Sequence, residues 1–175
     1  QWILSRRIAA LIGDAILTPY YPDSINLGNR HGIALSILYP GELGNEQSLR
    51  NDLARVFKAA EDVGKEIASE LGVDYLGIDA SLSPWGEESV VSAIERIYGI
   101  KFGGPGTLSA IYRLNRAIWD VSSQFRVTGF NEVMLPLAED EMLKARAREG
   151  LVTFSKLVKY VVTCVAGVDM VPIPS

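Results

Sequence analysis

The chain has 175 residues, 48% hydrophobic and 22% charged, with a formal net charge of -4. That composition suits a folded chain with a sizeable core, and the acidic balance lacks the basic face that phosphate-backbone binding requires, so no nucleic acid is expected as partner. Apolar runs such as Ile33 to Tyr39 and Val161 to Val168 fall short of the roughly 18 to 20 residues that cross a bilayer, so no membrane partner is expected either. The one cysteine, Cys164, precludes an intrachain disulfide and a multi-cysteine zinc site, and it fits a reducing compartment, which makes the cytoplasm the expected location.

In chain order, Trp2, Ile3, Leu4, Ile8, Leu11 and Ile12 recur at helical spacing. Leu17 to Arg30, with Pro19, Tyr20, Tyr21, Pro22 and Gly28, reads as a loop. His31 to Tyr39 alternates as a strand and stops at Pro40-Gly41. From Glu46 to Leu71 the apolar residues Leu49, Leu53, Val56, Phe57, Ala60, Val63 and Ile67 step by three and four, which predicts an amphipathic helix ended by a left-handed Gly72. Val73 to Ile78 is a second strand, leading through Asp79-Ala80-Ser81-Leu82-Ser83-Pro84-Trp85-Gly86 into a helix over Glu87 to Tyr98. Gly103-Gly104-Pro105-Gly106-Thr107 precedes a helix through Trp119, and Val127 to Leu137 is extended around Gly129 and Pro136. Helices over Glu139 to Glu149 and Thr153 to Val165 complete the pattern.

Strands separated by helices of this length favour parallel crossovers, so the fold class is α/β, a mainly parallel sheet with flanking helices. At least three strands are expected, near residues 33–39, 73–79 and 130–137. Residues 1–175 read as a single α/β domain or a fragment of a larger barrel, because the chain opens inside a helical pattern and ends on Val171-Pro172-Ile173-Pro174-Ser175 without a polar tail. A fragment implies a homo-oligomer or association with the remainder of a longer chain.

Four blocks occur in order: Leu71 to Pro84 with Glu87-Glu88-Ser89, Phe102 to Thr107, Thr128 to Asp140, and Cys164 to Pro174. Together they resemble the middle part of the domain of unknown function 711 family, also called uncharacterised protein family 0210. The resemblance runs from about Ile33 to the last residue. It implies a part of an α/β barrel similar to that of pyruvate formate-lyase and anaerobic ribonucleotide reductase. Val165-Ala166 stands where many relatives carry glycine and a hydroxyl residue.

Several groups could carry chemistry. Asp79 ends a parallel strand, where α/β barrels place their ligand chemistry. Cys164 is a candidate nucleophile, or a radical carrier if the barrel likeness extends to chemistry, with Asp169 orienting a substrate hydroxyl or amine across the turn at Gly167. The apolar neighbours Tyr160, Val161, Val162 and Val165 equally suit a buried structural thiol. Gly103, Gly104, Gly106 and Thr107 ahead of a helix could present backbone N–H groups to a small anionic ligand, or could form a tight turn with Thr107 as N-cap. No spacing specifies a metal site, and no motif names a cofactor. Two classes therefore stand open at the level of sequence: an enzyme or small-molecule-binding barrel, and a non-catalytic oligomeric scaffold or regulatory protein.

Overall fold

A computed structural model describes residues 18–20, 31–163 and 167–171. The predicted helix of the first dozen residues, most of the following loop, and Cys164 lie outside the described residues. Strand β1 (Gly32–Ser36) pairs in parallel with β2 (Asp74–Asp79), and helix α1 (Leu49–Leu71) connects them. This is the crossover that the alternating pattern predicted. α1 buries Leu49, Leu53, Phe57, Gly64 and Ala68 on its sheet-facing side. Gly64 is essential to that docking, because a Cβ there would stand 2.5 Å from the Tyr75 ring and 2.9 Å from Leu35. Gly72 ends the helix at φ 64° and its N–H closes the last turn onto Ala68 and Ser69 carbonyls.

The remaining helices are α2 (Val90–Tyr98), α3 (Thr107–Ser122), α4 (Glu141–Arg148) and α5 (Phe154–Tyr160). Helix α2 starts three residues later than the predicted Glu87, because Trp85 and Glu88 pair in a short antiparallel bridge and the Ser89 side chain accepts the Ser92 N–H as N-cap. Arg96 of α2 donates to the carbonyls of Pro40 and Leu43, which pins the chain that leaves β1. Tyr39, Phe57 and Phe125 stack edge to face in the core, with centroids 5.7 and 5.9 Å apart. Buried Asp140 joins α2 to α4: its carboxylate accepts from Ser89 Oγ at 2.6 Å, Val91 N at 3.2 Å and Leu143 N at 2.9 Å.

The expected third strand over 130–137 is corrected. Among the described residues the sheet has two strands, and the third segment contributes isolated parallel bridges, Val127 to Ile78 and Val133 to Leu82. Gly129 at φ 76° and Asn131 at φ 59° turn the backbone out of the extended region between those bridges, so a continuous ladder cannot form. Between β1 and β2 the register slips at the step from Ile33 to Ala34, leaving Leu76 of β2 unpaired as a bulge. The next residue, Gly77, holds φ 126° with the Arg126 carbonyl 2.7 Å from where a Cβ would be. The fold is thus mixed α/β with a small parallel sheet and flanking helices.

Candidate functional site

Asp79, the last residue of β2, is fully buried. Its carboxylate accepts five hydrogen bonds: from Thr18 Oγ1 at 3.0 Å, Ser81 N at 3.0 Å, Ser81 Oγ at 2.6 Å, Phe130 N at 2.9 Å and Asn131 N at 3.0 Å. Asn131 Oδ1 in turn accepts the Ala80 N–H at 2.9 Å. These side chains replace the missing ladder between the two bridges, which explains why a buried carboxylate is tolerated here. The predicted position at a strand end is found, and there the carboxylate organises backbone. Thr18 carries its influence outward, since Thr18 Oγ1 also accepts the Tyr20 N–H at 3.2 Å.

Beyond the carboxyl ends of β1 and β2 lies a groove of about 230 Å³ lined by Tyr20, Ser36, Ile37, Leu38, Ser83, Pro84 and Trp85. Trp85 is 69% exposed and Leu38 51%, so an indole and an isobutyl group form an open apolar rim. The Tyr20 hydroxyl is buried beside Ser83. Burial first, then the Asp79 charge, holds the Tyr20 phenol above its ordinary pKa, against a smaller opposing effect of a hydrogen bond with the Ser83 side chain. Tyr39 beneath the groove donates to the Ala80 carbonyl at 2.6 Å, and burial, then Tyr20 and Asp79, push its phenol up as well. Both phenols therefore stay neutral at physiological pH.

The predicted glycine loop is bonded within itself. The Gly103 N–H goes to Thr107 Oγ1 at 2.9 Å, the Gly104 N–H to the Lys101 carbonyl at 3.0 Å, and Thr107 Oγ1 donates to the Gly104 carbonyl at 2.9 Å. Gly106, at φ 89°, is the N-cap residue, and Thr107 is the first residue of α3. Thr107 is thus not the N-cap: its hydroxyl is turned back to Gly103. A side chain at Gly103 would meet the Leu151 carbonyl at 2.4 Å. Lys156 Nζ donates to the Gly103 and Leu151 carbonyls at 2.6 and 2.7 Å. At the loop's start Glu95 accepts the Phe102 N–H at 2.7 Å while bridging both Arg146 nitrogens at 2.7 Å. Asp169 lies on the strip beside Leu137, whose N–H its carbonyl accepts at 3.3 Å, and its intended companion Cys164 lies outside the described residues. His31 is exposed just before β1.

A second cavity, also about 230 Å³, is lined by Arg50, Arg113, Arg116, Tyr98, Tyr112 and Glu46 among others. Its cations are engaged, Arg113 with Glu46, and Arg50 and Arg116 with Asp120. Among the described residues no group of three or more His, Cys, Asp or Glu is placed to hold a metal, and no helix is long and apolar enough to cross a membrane. Sequence reading passed over Tyr20, Ser83, Trp85 and Asn131. The aromatic residues placed in loops, Tyr20 beside Pro19 and Trp85 between Pro84 and Gly86, were the available signal.

The parallel crossover with a groove past its strand ends defines the general class, an α/β chain with a strand-end cleft. By sequence the chain belongs to the family described as Uncharacterised ACR (DUF711), which matches residues 44–175. A UPF0210 protein of Pyrobaculum islandicum is 32% identical over 124 residues, covering 69% of this chain and 28% of the relative. UPF0210 protein MK1214 of Methanopyrus kandleri is 34% identical over 124 residues, 69% of this chain and 27% of the relative. A UPF0210 protein of Desulfovibrio desulfuricans is 28% identical over 150 residues, 83% of this chain and 32% of the relative. The chain thus spans less than a third of the length of these relatives. Asp79, Ser83, Trp85 and Asn131 fall inside the family match, whereas Tyr20 and Ser36 to Leu38 precede it.

Proposed function

We propose that this chain is a small-molecule-binding α/β unit whose ligand sits in the groove at the carboxyl ends of β1 and β2. The observation that carries the proposal is the groove itself, which opens past the carboxyl ends of two parallel strands and carries the exposed side chains of Trp85 and Leu38 on its rim. Strand ends of parallel sheets are where α/β proteins place ligands. Asp79 serves the site by tying residues 18–20, 80–81 and 130–131 together. The glycine loop, whose Gly103 and Gly104 N–H groups are engaged by Thr107 and Lys101 and whose Gly103 carbonyl is held by Lys156, supports the ordering of α3 better than it supports anion capture.

The wider architecture follows the same reading. Val127 and Val133 extend the parallel pairing of β1 and β2 sideways, which supports a larger pyruvate formate-lyase-like barrel completed by further strands. Cys164 and Asp169 remain the candidates for chemistry in such a barrel, the thiol as nucleophile or radical carrier. The lone cysteine fits a cytoplasmic protein. A scaffold reading also has its own observation: Val63, Ile67 and Leu71 line up at four-residue spacing on α1 and are exposed, a face suited to a second copy or to the rest of a longer chain.

Fragment binding to the full-length protein, followed by protein-observed NMR, tests the groove. Binders should shift resonances of Ser36, Ser83 and Trp85, and Trp85→Ala should weaken them about tenfold. Fragments that consistently bind elsewhere, and ignore Trp85→Ala, would overturn the groove assignment.

A further inference from the structure

The second cavity, of about 230 Å³, is lined from the first turn of α1, the end of α2 and the middle of α3, and three arginines stand in its lining: Arg50, Arg113 and Arg116. The Arg113 guanidinium is fixed at the wall, because its carbon lies 5.0 Å over the ring of Tyr98 and it pairs with Glu46, two further lining residues. Arg50 reaches from α1 and Arg116 from α3 to one carboxylate, Asp120, at 2.8 and 3.5 Å. The Arg116 guanidinium also lies 5.9 Å from the Trp119 ring, so aromatic faces steady two of the three cations.

This gathering works against the fold locally. Arg113 and Arg116 lie one helical turn apart on α3, a spacing at which like charges repel, and Arg50 adds a third cation from another helix. Exposed ion pairs return little, since water screens them, and each of the three arginine side chains keeps more than half of its surface exposed. A guanidinium offers five N–H donors in a planar fork. Among the described residues Arg113 pairs with Glu46, and Arg116 meets Asp120 at 3.5 Å, too long for a strong charge-assisted hydrogen bond. The forks therefore keep donors for an acceptor that enters from solvent, and planar oxyanion groups are what such forks recognise.

We propose that this cleft is a second ligand site, for a small molecule carrying two oxyanion groups, phosphate or carboxylate. Arg113 beside Tyr98 holds one group, and Arg50 with Arg116 holds the other. Glu46 and Asp120 occupy those guanidinium groups until the ligand replaces them. Their displacement costs little because both carboxylates are solvated, with 46% of the Glu46 side chain and 38% of the Asp120 side chain exposed. At about 230 Å³ the cavity lies just below the roughly 300 to 1,000 Å³ of drug-sized sites, so it suits a compact dianion. The two cavities share no lining residue, and neither assignment depends on the other.

Calorimetric titration of the full-length protein at low salt tests the site, with pyrophosphate and succinate as the two-group probes and acetate as the one-group control. At least one two-group probe should bind about tenfold more tightly than acetate or better. Preference for pyrophosphate assigns a phosphate ligand, and preference for succinate a dicarboxylate. Arg113→Gln and Arg116→Gln should each weaken that binding about tenfold, whereas Glu46→Gln should strengthen it about threefold by removing a competitor for Arg113. Exposed pairs contribute little to folding, so the melting temperatures of these variants should match that of the parent. Two-group probes that bind no better than acetate, or an affinity unchanged by Arg113→Gln, would overturn the proposal. Weaker binding in Glu46→Gln counts equally against it, because that variant leaves all three arginines in place.

Discussion

Asp79 and Asn131 trade side chain for backbone in both directions: the Asp79 carboxylate accepts the Asn131 N–H at 3.0 Å, and the Asn131 side-chain carbonyl accepts the Ala80 N–H at 2.9 Å. The exchange spans the gap between two parallel bridges, so two polar side chains do the work of missing ladder hydrogen bonds. Asn131 can do this because it tolerates φ 59°.

Removing the carboxylate leaves buried donors from three chain segments without an acceptor. Asp79→Ala should therefore destabilise the fold by about 3 kcal/mol or more, measured by urea unfolding. A loss below about 1 kcal/mol would show that water replaces the carboxylate and that the organising role is wrong.

Two glycines with similar φ separate strain from collision. At Gly72, φ 64°, an added Cβ meets nothing within 4 Å, so Gly72→Ala should cost only about 1 kcal/mol of left-handed strain. At Gly129, φ 76°, the Cβ would lie 1.9 Å from Asp79 Oδ2, and Gly129→Ala should cost at least about 2 kcal/mol more than Gly72→Ala in thermal unfolding. Equal losses would mean that the loop at Gly129 yields freely.

The Glu95 and Arg146 pair sets an acid limb. Burial pushes the Glu95 carboxyl up, but hydrogen bonds from Arg146 and the Phe102 N–H, with the Arg146 charge, more than offset it and hold the group below its ordinary pKa. A carboxyl lowered in the folded state adds stability above its unfolded pKa, and that stability is lost as pH falls through the folded value. Glu95→Gln should cost about 1 kcal/mol at neutral pH, since the pair is partly exposed to solvent. Its stability should fall less steeply than that of the parent below about pH 4. Parallel stability curves would dismiss the pair as a pH-dependent contributor.

Thr107→Val tests the glycine loop. It removes the acceptor of the Gly103 N–H and the donor to the Gly104 carbonyl. We expect about 1 to 3 kcal/mol lost, with ligand binding at the groove unchanged by titration. Loss of binding without loss of stability would return the loop to the list of ligand sites.

Alkylation addresses Cys164. A catalytic thiol must be reachable, so the role proposed for Cys164 requires that iodoacetamide modify it in the native protein, with Cys164→Ala leaving groove binding intact. Resistance to iodoacetamide until denaturation would assign it to packing.

Much of the scaffold is written in local pattern. The three-four spacing from Leu49 to Ile67 with Gly72 behind it, and the apolar run before Asp79, each specify an element through interactions a few residues apart, and α1, β1 and β2 appear where those patterns put them. Pattern also placed Asp79 at a strand end. The part played there depends on partners 51, 52 and 61 residues away in sequence, and spacing does not reveal such partners. The expected third strand failed for the same reason, because Val127 to Leu137 is apolar enough to extend, yet Asp79 captures the N–H groups of Phe130 and Asn131 and bends it. Tyr20, Ser36 and Trp85 are each ordinary loop or strand-end residues in the sequence. Only the parallel crossover brings them to one wall, since a groove is a relation between surfaces and no single segment encodes it.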